Sequence, residues 1–245
     1  MLRPMTTTIK TAAVLAALIW MFVPPALYAD DDGWTLRRQD SKYDIEVYQR
    51  TTAEGYTEFR GVTHINSRLS AFVALLRDVD NMPNWIYRTN EVRVVEILSD
   101  TESYVQTINN MPWPVRDRDA IVFAKLEQNP ATQAITLRAT ADPGFAPADD
   151  RYVRMPLLES SWTFTPLADG RTRVVFRCYA DPGGKLTSGI FLKFQAMLAW
   201  HAPYKTLRAM RQVILDPEYQ AATLAFIREP AIWNTARNLT SVADN

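Results

Sequence analysis

Apolar and polar positions alternate along residues 34–65, where Tyr43, Ile45 and Val47 interleave with Asp44, Glu46 and Tyr48. That is the period of a half-buried strand. It predicts strands over 34–38, 43–50 and 57–65, with Gln39-Asp40-Ser41-Lys42 as a turn between the first two. The period then lengthens: Leu69, Phe72, Val73 and Leu76 predict a helix over 69–78, capped by Asn66 or Ser67. Asp80-Asn81-Met82-Pro83 ends it, and residues 83–87 read as a second short helix. Further strands are predicted over 91–98, 103–109, 119–127, 134–141, 154–165 and 172–180, where β-branched and aromatic residues lie between turn signals. Asn129-Pro130 and Asp169-Gly170 suit hairpin turns, residues 142–150 form a polar loop, and Asp181-Pro182-Gly183-Gly184 breaks the last strand.

Residues 187–215 read as one long helix whose first half, 190–202, carries one full charge, Lys193. A helix apolar all round must be covered on every side. The apolar part is too short to span a bilayer, which needs roughly 20 residues. Pro203 withholds an amide and predicts a kink. Beyond it, Lys205, Arg208, Arg211 and Gln212 form a polar face opposite Tyr204, Leu207, Met210 and Ile214. Residues 216–228 are expected to add an outer helix, and residues 234–245 a frayed tail. Consecutive antiparallel strands with helices at two places predict an α+β fold, a curved sheet of about nine strands wrapped round the long helix.

The first thirty residues differ in kind. Arg3 and Lys10 precede an unbroken apolar run at 12–23, then Pro24-Pro25, Ala29 and Asp30-Asp31-Asp32. This predicts a secretory signal peptide over 1–29, and hence a periplasmic or secreted protein; an uncleaved membrane anchor is the alternative. The domain expectation is a ligand-binding unit over 30–215 and a helical extension and tail over 216–245. Cleavage would leave a formal charge of about −2. The whole chain balances 27 basic against 27 acidic residues, which argues against a nucleic-acid partner. Cys178, the only cysteine, cannot form an internal disulfide and reads as a small buried hydrophobe in a strand. No HExxH, paired CxxC, GxSxG, Walker A or dinucleotide-binding pattern is present, so no metal, cofactor or hydrolytic nucleophile is expected.

Three local sequences, read with this element order, carry a family resemblance. They are DVDNMPNWIYRTNEVRVVEIL at 78–98, MPWPVRDRD at 111–119 and APYKTLR at 202–208. Together they resemble the START (StAR-related lipid-transfer) domain of the helix-grip, Bet v 1-like superfamily, in an exported bacterial form. The resemblance implies the helix-grip fold, with one lipid held in an apolar tunnel between the concave face of the sheet and the C-terminal helix. It implies that the Pro-Trp-Pro loop acts as a gate. Some members place an arginine partway along the strand after Arg-Asp, paired with an acid inside the cavity. Here that place holds Ala124, so the head group cannot be read from such a pair.

The expected ligand-binding residues follow from these two sources. Trp113, between prolines, is either a lid over the cavity mouth or a plug under its own loop. Phe194, Met197, His201 and Tyr204 fall on one helix face, as a cavity wall with two polar handles or as plain core. Trp162, Phe164 and Phe176 occupy the apolar face of the last two strands, Phe123 joins them from the strand after Arg118-Asp119, and Trp85 closes the far end. Arg118 and Asp119 read as a structural ion pair or a strand-start contact. The leading expectation is a monomeric, non-enzymatic protein that binds and carries a lipid or similar hydrophobic molecule, with transient membrane contact helped by Lys205, Arg208 and Arg211. The alternatives are a polyketide cyclase using His201, Tyr204 and Glu159, and a sensor whose lipid is structural.

Overall fold

The computed structural model describes residues 33–184, 189, 190, 194, 201–231 and 233. The expected signal peptide, Met197 and the tail over 234–245 lie outside them. Ten strands form one sheet: β1 (Thr35–Asp40), β2 (Ile45–Thr51), β3 (Thr57–Ile65), β4 (Thr89–Ile97), β5 (Glu102–Asn109), β6 (Arg118–Gln128), β7 (Ile135–Ala141), β8 (Val153–Arg154), β9 (Leu157–Pro166) and β10 (Thr172–Asp181). Nine run antiparallel in the order β1-β2-β3-β10-β9-β7-β6-β5-β4, and the two-residue β8 pairs parallel to β6. The strand expected over 154–165 is therefore split. Pro156 offers no amide to a ladder and separates β8 from β9.

Between β3 and β4 come α1 (Leu69–Arg77), a 3-10 turn (Val79–Asn81) and α2 (Met82–Trp85). Neither Asn66 nor Ser67 caps α1. Its first residues take a remote partner instead: Glu229 accepts from the amides of Leu69 at 3.1 Å and Ser70 at 2.7 Å. A carboxylate suits this end of a helix, where amides are unpaired and the dipole is positive.

After β10 come α3 (Ala202–Val213) and α4 (Pro217–Ala221). Pro203 sits in the first turn of α3, where a missing amide costs least. The helix expected over 216–228 stops at Ala221, and side chains tie down the irregular chain beyond, which turns at 225–226. Arg68 takes the carbonyls of Gln220 and Ala222, and the Gln128 amide pairs with both backbone groups of Arg228. Among the described residues, no helix is long and apolar enough to cross a membrane.

The α3 helix seats on Gly61 of β3. A Cβ there would lie 2.7 Å from Leu207 Cδ1 and 3.2 Å from the Cβ of Pro203, so any larger residue would have to push these side chains back. The main core fills the space between α1, α3 and one half of the sheet, with Phe72 stacked on Phe164 at 4.7 Å. A smaller cluster of Val92, Val105, Ala120, Val122, Met155 and Ala180 lies toward the other end.

Candidate functional site

Between these two clusters the concave face is hollow. The pairing of strands explains where. One transverse row runs Leu126, Leu137, Trp162, Phe176 and Gly61 across β6, β7, β9, β10 and β3. Its large side chains pack together, with Trp162 stacked on Phe176 at 4.0 Å and crossed edge-on by Trp85 at 5.7 Å. The next cavity-facing row runs Ser103, Ala124, Ala139, Ser160, Cys178 and Phe59 across β5, β6, β7, β9, β10 and β3. Five of these six side chains are small, so the row forms a trough. Beyond it lie Val105, Val122, Leu158 and Ala180, larger on average again.

Val73 and Leu76 of α1, Met82 of α2, Phe194, and Ala202 and Thr206 of α3 cover the trough. The result is a cavity of ≈ 350 Å³, at the low end of the range for ligand pockets. Burial pushes the Cys178 thiol up to about 12, so it stays a neutral part of the wall.

Polar groups gather at two places. Arg77, Asp100, Thr101 and Glu102 edge the wall near the β4–β5 turn. At the other end Thr89, Asn109 and Arg118 form a row across β4, β5 and β6. Asn109 donates to Thr107 Oγ1 at 3.1 Å. Arg118 is 2% exposed, and among the described lining residues it alone is both charged and buried. Its neighbour Asp119 points to the opposite face and pairs with Arg154 at 2.9 Å, so the two do not form an ion pair. Strand alternation separates them. Arg118 makes strand-start contacts instead, donating to the carbonyls of Arg116, Pro182 (3.1 Å) and Gly183 (3.4 Å).

The expected site residues divide accordingly. Trp162, Phe176 and Phe194 line the cavity. Trp85 and Phe164 do not: Trp85 backs Trp162, and Phe164 is buried under Phe72 one row further into the core. Phe123 faces away, between cavity-facing Val122 and Ala124, and packs against Tyr104 at 5.4 Å. Trp113 is 93% exposed and plugs nothing beneath its loop. Its loop begins at Asn110, and Asn110 and Met111 do line the cavity.

His201 is exposed, and Tyr204 is buried outside the cavity. The Tyr204 hydroxyl donates to Asp40 at 2.7 Å, and the Arg38 guanidinium lies 3.3 Å over its ring. Burial and the Asp40 bond raise the Tyr204 pKa, while the same bond lowers that of Asp40. A straight helix puts His201 below Phe194, two turns on. Here His201 lies in a π-type turn, and Ala202 and Thr206 face the cavity in its place. Lys205 lies over the Tyr87 ring at 4.5 Å, Arg208 over Tyr43 at 4.5 Å, and Arg211 donates to Thr63 Oγ1 at 2.8 Å and to the His64 carbonyl at 2.6 Å.

The trough itself escaped sequence reading. Alanine and serine carry little hydropathy signal, and only the register between strands shows that five small side chains share a line.

Comparison with known proteins agrees with this geometry. A crystal structure of a fragment of the STAR-related lipid transfer protein from Xanthomonas axonopodis is 30% identical, with a TM-score of 0.66, over 75% of this chain and 99% of that one. Human StAR-related lipid transfer protein 5 shares the fold, with a TM-score of 0.61 at 17% identity over 76% of this chain and 89% of its own. An uncharacterized protein of Pseudomonas aeruginosa is 28% identical over 199 residues, 81% of this chain and 93% of its length. The START domain model matches residues 26–195, and with this sheet, helix and cavity the chain belongs to the START domain family.

Proposed function

We propose that the protein binds one hydrophobic, lipid-like molecule in the trough and carries or transfers it outside the cytoplasm. The observation behind this reading is the cavity itself: a row of small side chains left open between two packed clusters and covered by helices. Burial of apolar surface at about 25 cal/mol per Å2 favours a large apolar ligand with few polar contacts. The name of the Xanthomonas relative, a lipid transfer protein, supports the same reading. The export component rests on the basic, apolar and small-residue pattern over 1–29.

Membrane contact during transfer belongs to the Trp113 loop. An exposed indole on a loop that starts at the cavity wall suits a bilayer interface. The basic side chains of α3 are a weaker choice, since each is already engaged with a tyrosine ring or with β3.

The cyclase alternative needs an acid and a base inside the cavity. None of its nominated groups lines it: Glu159 accepts from Thr140 at 2.9 Å, His201 is exposed, and Tyr204 is bonded to Asp40. A binding protein without chemistry of its own is the better reading.

Native mass spectrometry of the purified protein tests it. A co-purifying lipid is expected, and labelled lipid should move between vesicles faster when the protein is added. A protein that arrives empty and takes up no lipid from vesicles would sink the proposal. A lipid that stays bound without moving would leave the sensor reading.

A further inference from the structure

The cavity is apolar along the trough yet ends at a buried cation. Arg118 and Ala124 are both cavity-facing positions of β6, and the six-residue interval between them spans about 20 Å. Burying a guanidinium is costly unless its charge is answered. Here carbonyl groups answer it in part. Of five guanidinium donors, Nε, one Nη1–H and one Nη2–H reach the carbonyls of Pro182, Arg116 and Gly183. One donor on each terminal nitrogen has no acceptor among the described residues. Asp117 is the acid whose field favours the charge, but its carboxylate is occupied by the Met111 amide at 2.8 Å. Burial and the nearby Arg116 outweigh it and lower the Arg118 pKa. The side chain remains a cation even so, since arginine does not deprotonate in proteins.

The surroundings hold this cation in place. Gly183 has a positive φ of 63°, and a Cβ there would lie 2.9 Å from Pro156 Cδ and 3.0 Å from the Arg154 carbonyl. The turn that presents the Pro182 and Gly183 carbonyls therefore requires glycine. Asn109 stands beside Arg118 in the paired register, and Asn110 follows it in the cavity wall.

Resting on the lipid-binding reading above, we propose that the ligand is an anionic amphiphile of modest size, whose carboxylate or phosphate seats against Arg118 while its apolar chain lies along the trough. Two free donors on one planar fork match the two oxygens that such a group offers. A cavity of ≈ 350 Å³ suits a single chain rather than a bulky two-chain lipid.

Fluorescence titration with cis-parinaric acid and with its methyl ester tests this, using the full mature chain. The two probes share a chain and differ in charge. The acid should bind at least about tenfold more tightly than the ester. Arg118→Met should bring the acid down to the affinity of the ester and leave the ester unchanged, whereas Arg118→Lys should keep part of the preference. Displacement of the bound acid by palmitoyl lysophosphatidic acid or by palmitic acid then tells phosphate from carboxylate. Equal affinity of the wild type for acid and ester would overturn the Arg118 assignment while leaving lipid binding intact. Equal weakening of both probes in a folded Arg118→Met protein would also overturn it, making the residue a loop tether. Should that variant not fold, the wild-type ratio and Arg118→Lys decide. Failure of both probes to bind would sink the cavity reading together with the proposal.

Discussion

The two halves of the concave face are built from the same strands with the same alternation, yet one is solid and the other hollow. In the solid half, Ile135, Phe164, Val174 and Thr63 form a transverse row closed by Phe72 of α1. Two rows further along, Ala124, Ala139, Ser160 and Cys178 occupy equivalent inward positions. Both rows point inward from the same strands. Side-chain volume decides between core and cavity, and the aromatic wall of Trp162 and Phe176 marks the boundary. The difference separates residues that hold the fold from residues that leave room in it. Substitutions in the two halves should accordingly have opposite profiles.

The largest effect is expected in the solid half. Phe164 is fully buried and stacked on Phe72, so Phe164→Ala should destabilise by about 3–5 kcal/mol. Chemical denaturation reads that loss, and lipid affinity of the surviving folded fraction should change little. A loss below 1 kcal/mol would mean that this half is not the packed one.

At the boundary, Gly61→Ala sets a methyl group 2.7 Å from Leu207 Cδ1. The end of a leucine can shift, but Pro203 on the other side cannot easily follow. A cost of about 1–3 kcal/mol is expected, from overpacking. Because α3 covers the cavity, ligand release should also quicken. Unchanged stability together with unchanged release would show that α3 does not depend on this seat.

In the hollow half the expectation reverses. Ala139→Leu adds volume where the structure already has room, so stability should move by less than about 1 kcal/mol in either direction. Binding of a fluorescent lipid should fall by at least about tenfold, because the trough is filled at its middle. Retained binding would place the ligand elsewhere.

This contrast also explains what was legible in the sequence. The nine main strands and α1 can be read there, through apolar–polar alternation in β2, through β-branched and aromatic runs between turn signals in the later strands, and through helical spacing in α1. Periodicity does not report whether a buried position touches protein or ligand. Aromatic residues were therefore over-assigned to the site: Phe123, Phe164 and Trp85 are large and apolar, and large apolar side chains serve a core at least as well as a cavity wall. Arg118 was within reach of sequence reading. The strand expected over 119–127 need only begin one residue earlier, at Arg118, for Arg118 and Asp119 to fall on opposite faces, which rules out pairing them with each other. The Glu229 cap of α1 was not within reach, because nothing local links a helix start to an acid 160 residues away.

The smallest effect on stability, and the most specific on dynamics, is expected at Pro203. It lies where α3 meets both halves: its Cβ is the atom that approaches Gly61, and Ala202 beside it lines the cavity. Pro203 stands in the first turn of α3, where its missing amide costs little and its ring fixes the backbone angle at which the helix starts. Pro203→Ala keeps the Cβ, so seating on Gly61 should survive and stability should stay within about 1 kcal/mol. Alanine frees the backbone rotation that proline fixes at the start of the helix that covers the trough. Ligand exchange, followed by stopped-flow displacement of a fluorescent lipid, should quicken several-fold while equilibrium affinity and ligand preference hold. Exchange at the wild-type rate would mean that the cover opens elsewhere, with the Trp113 loop as the next segment to restrain.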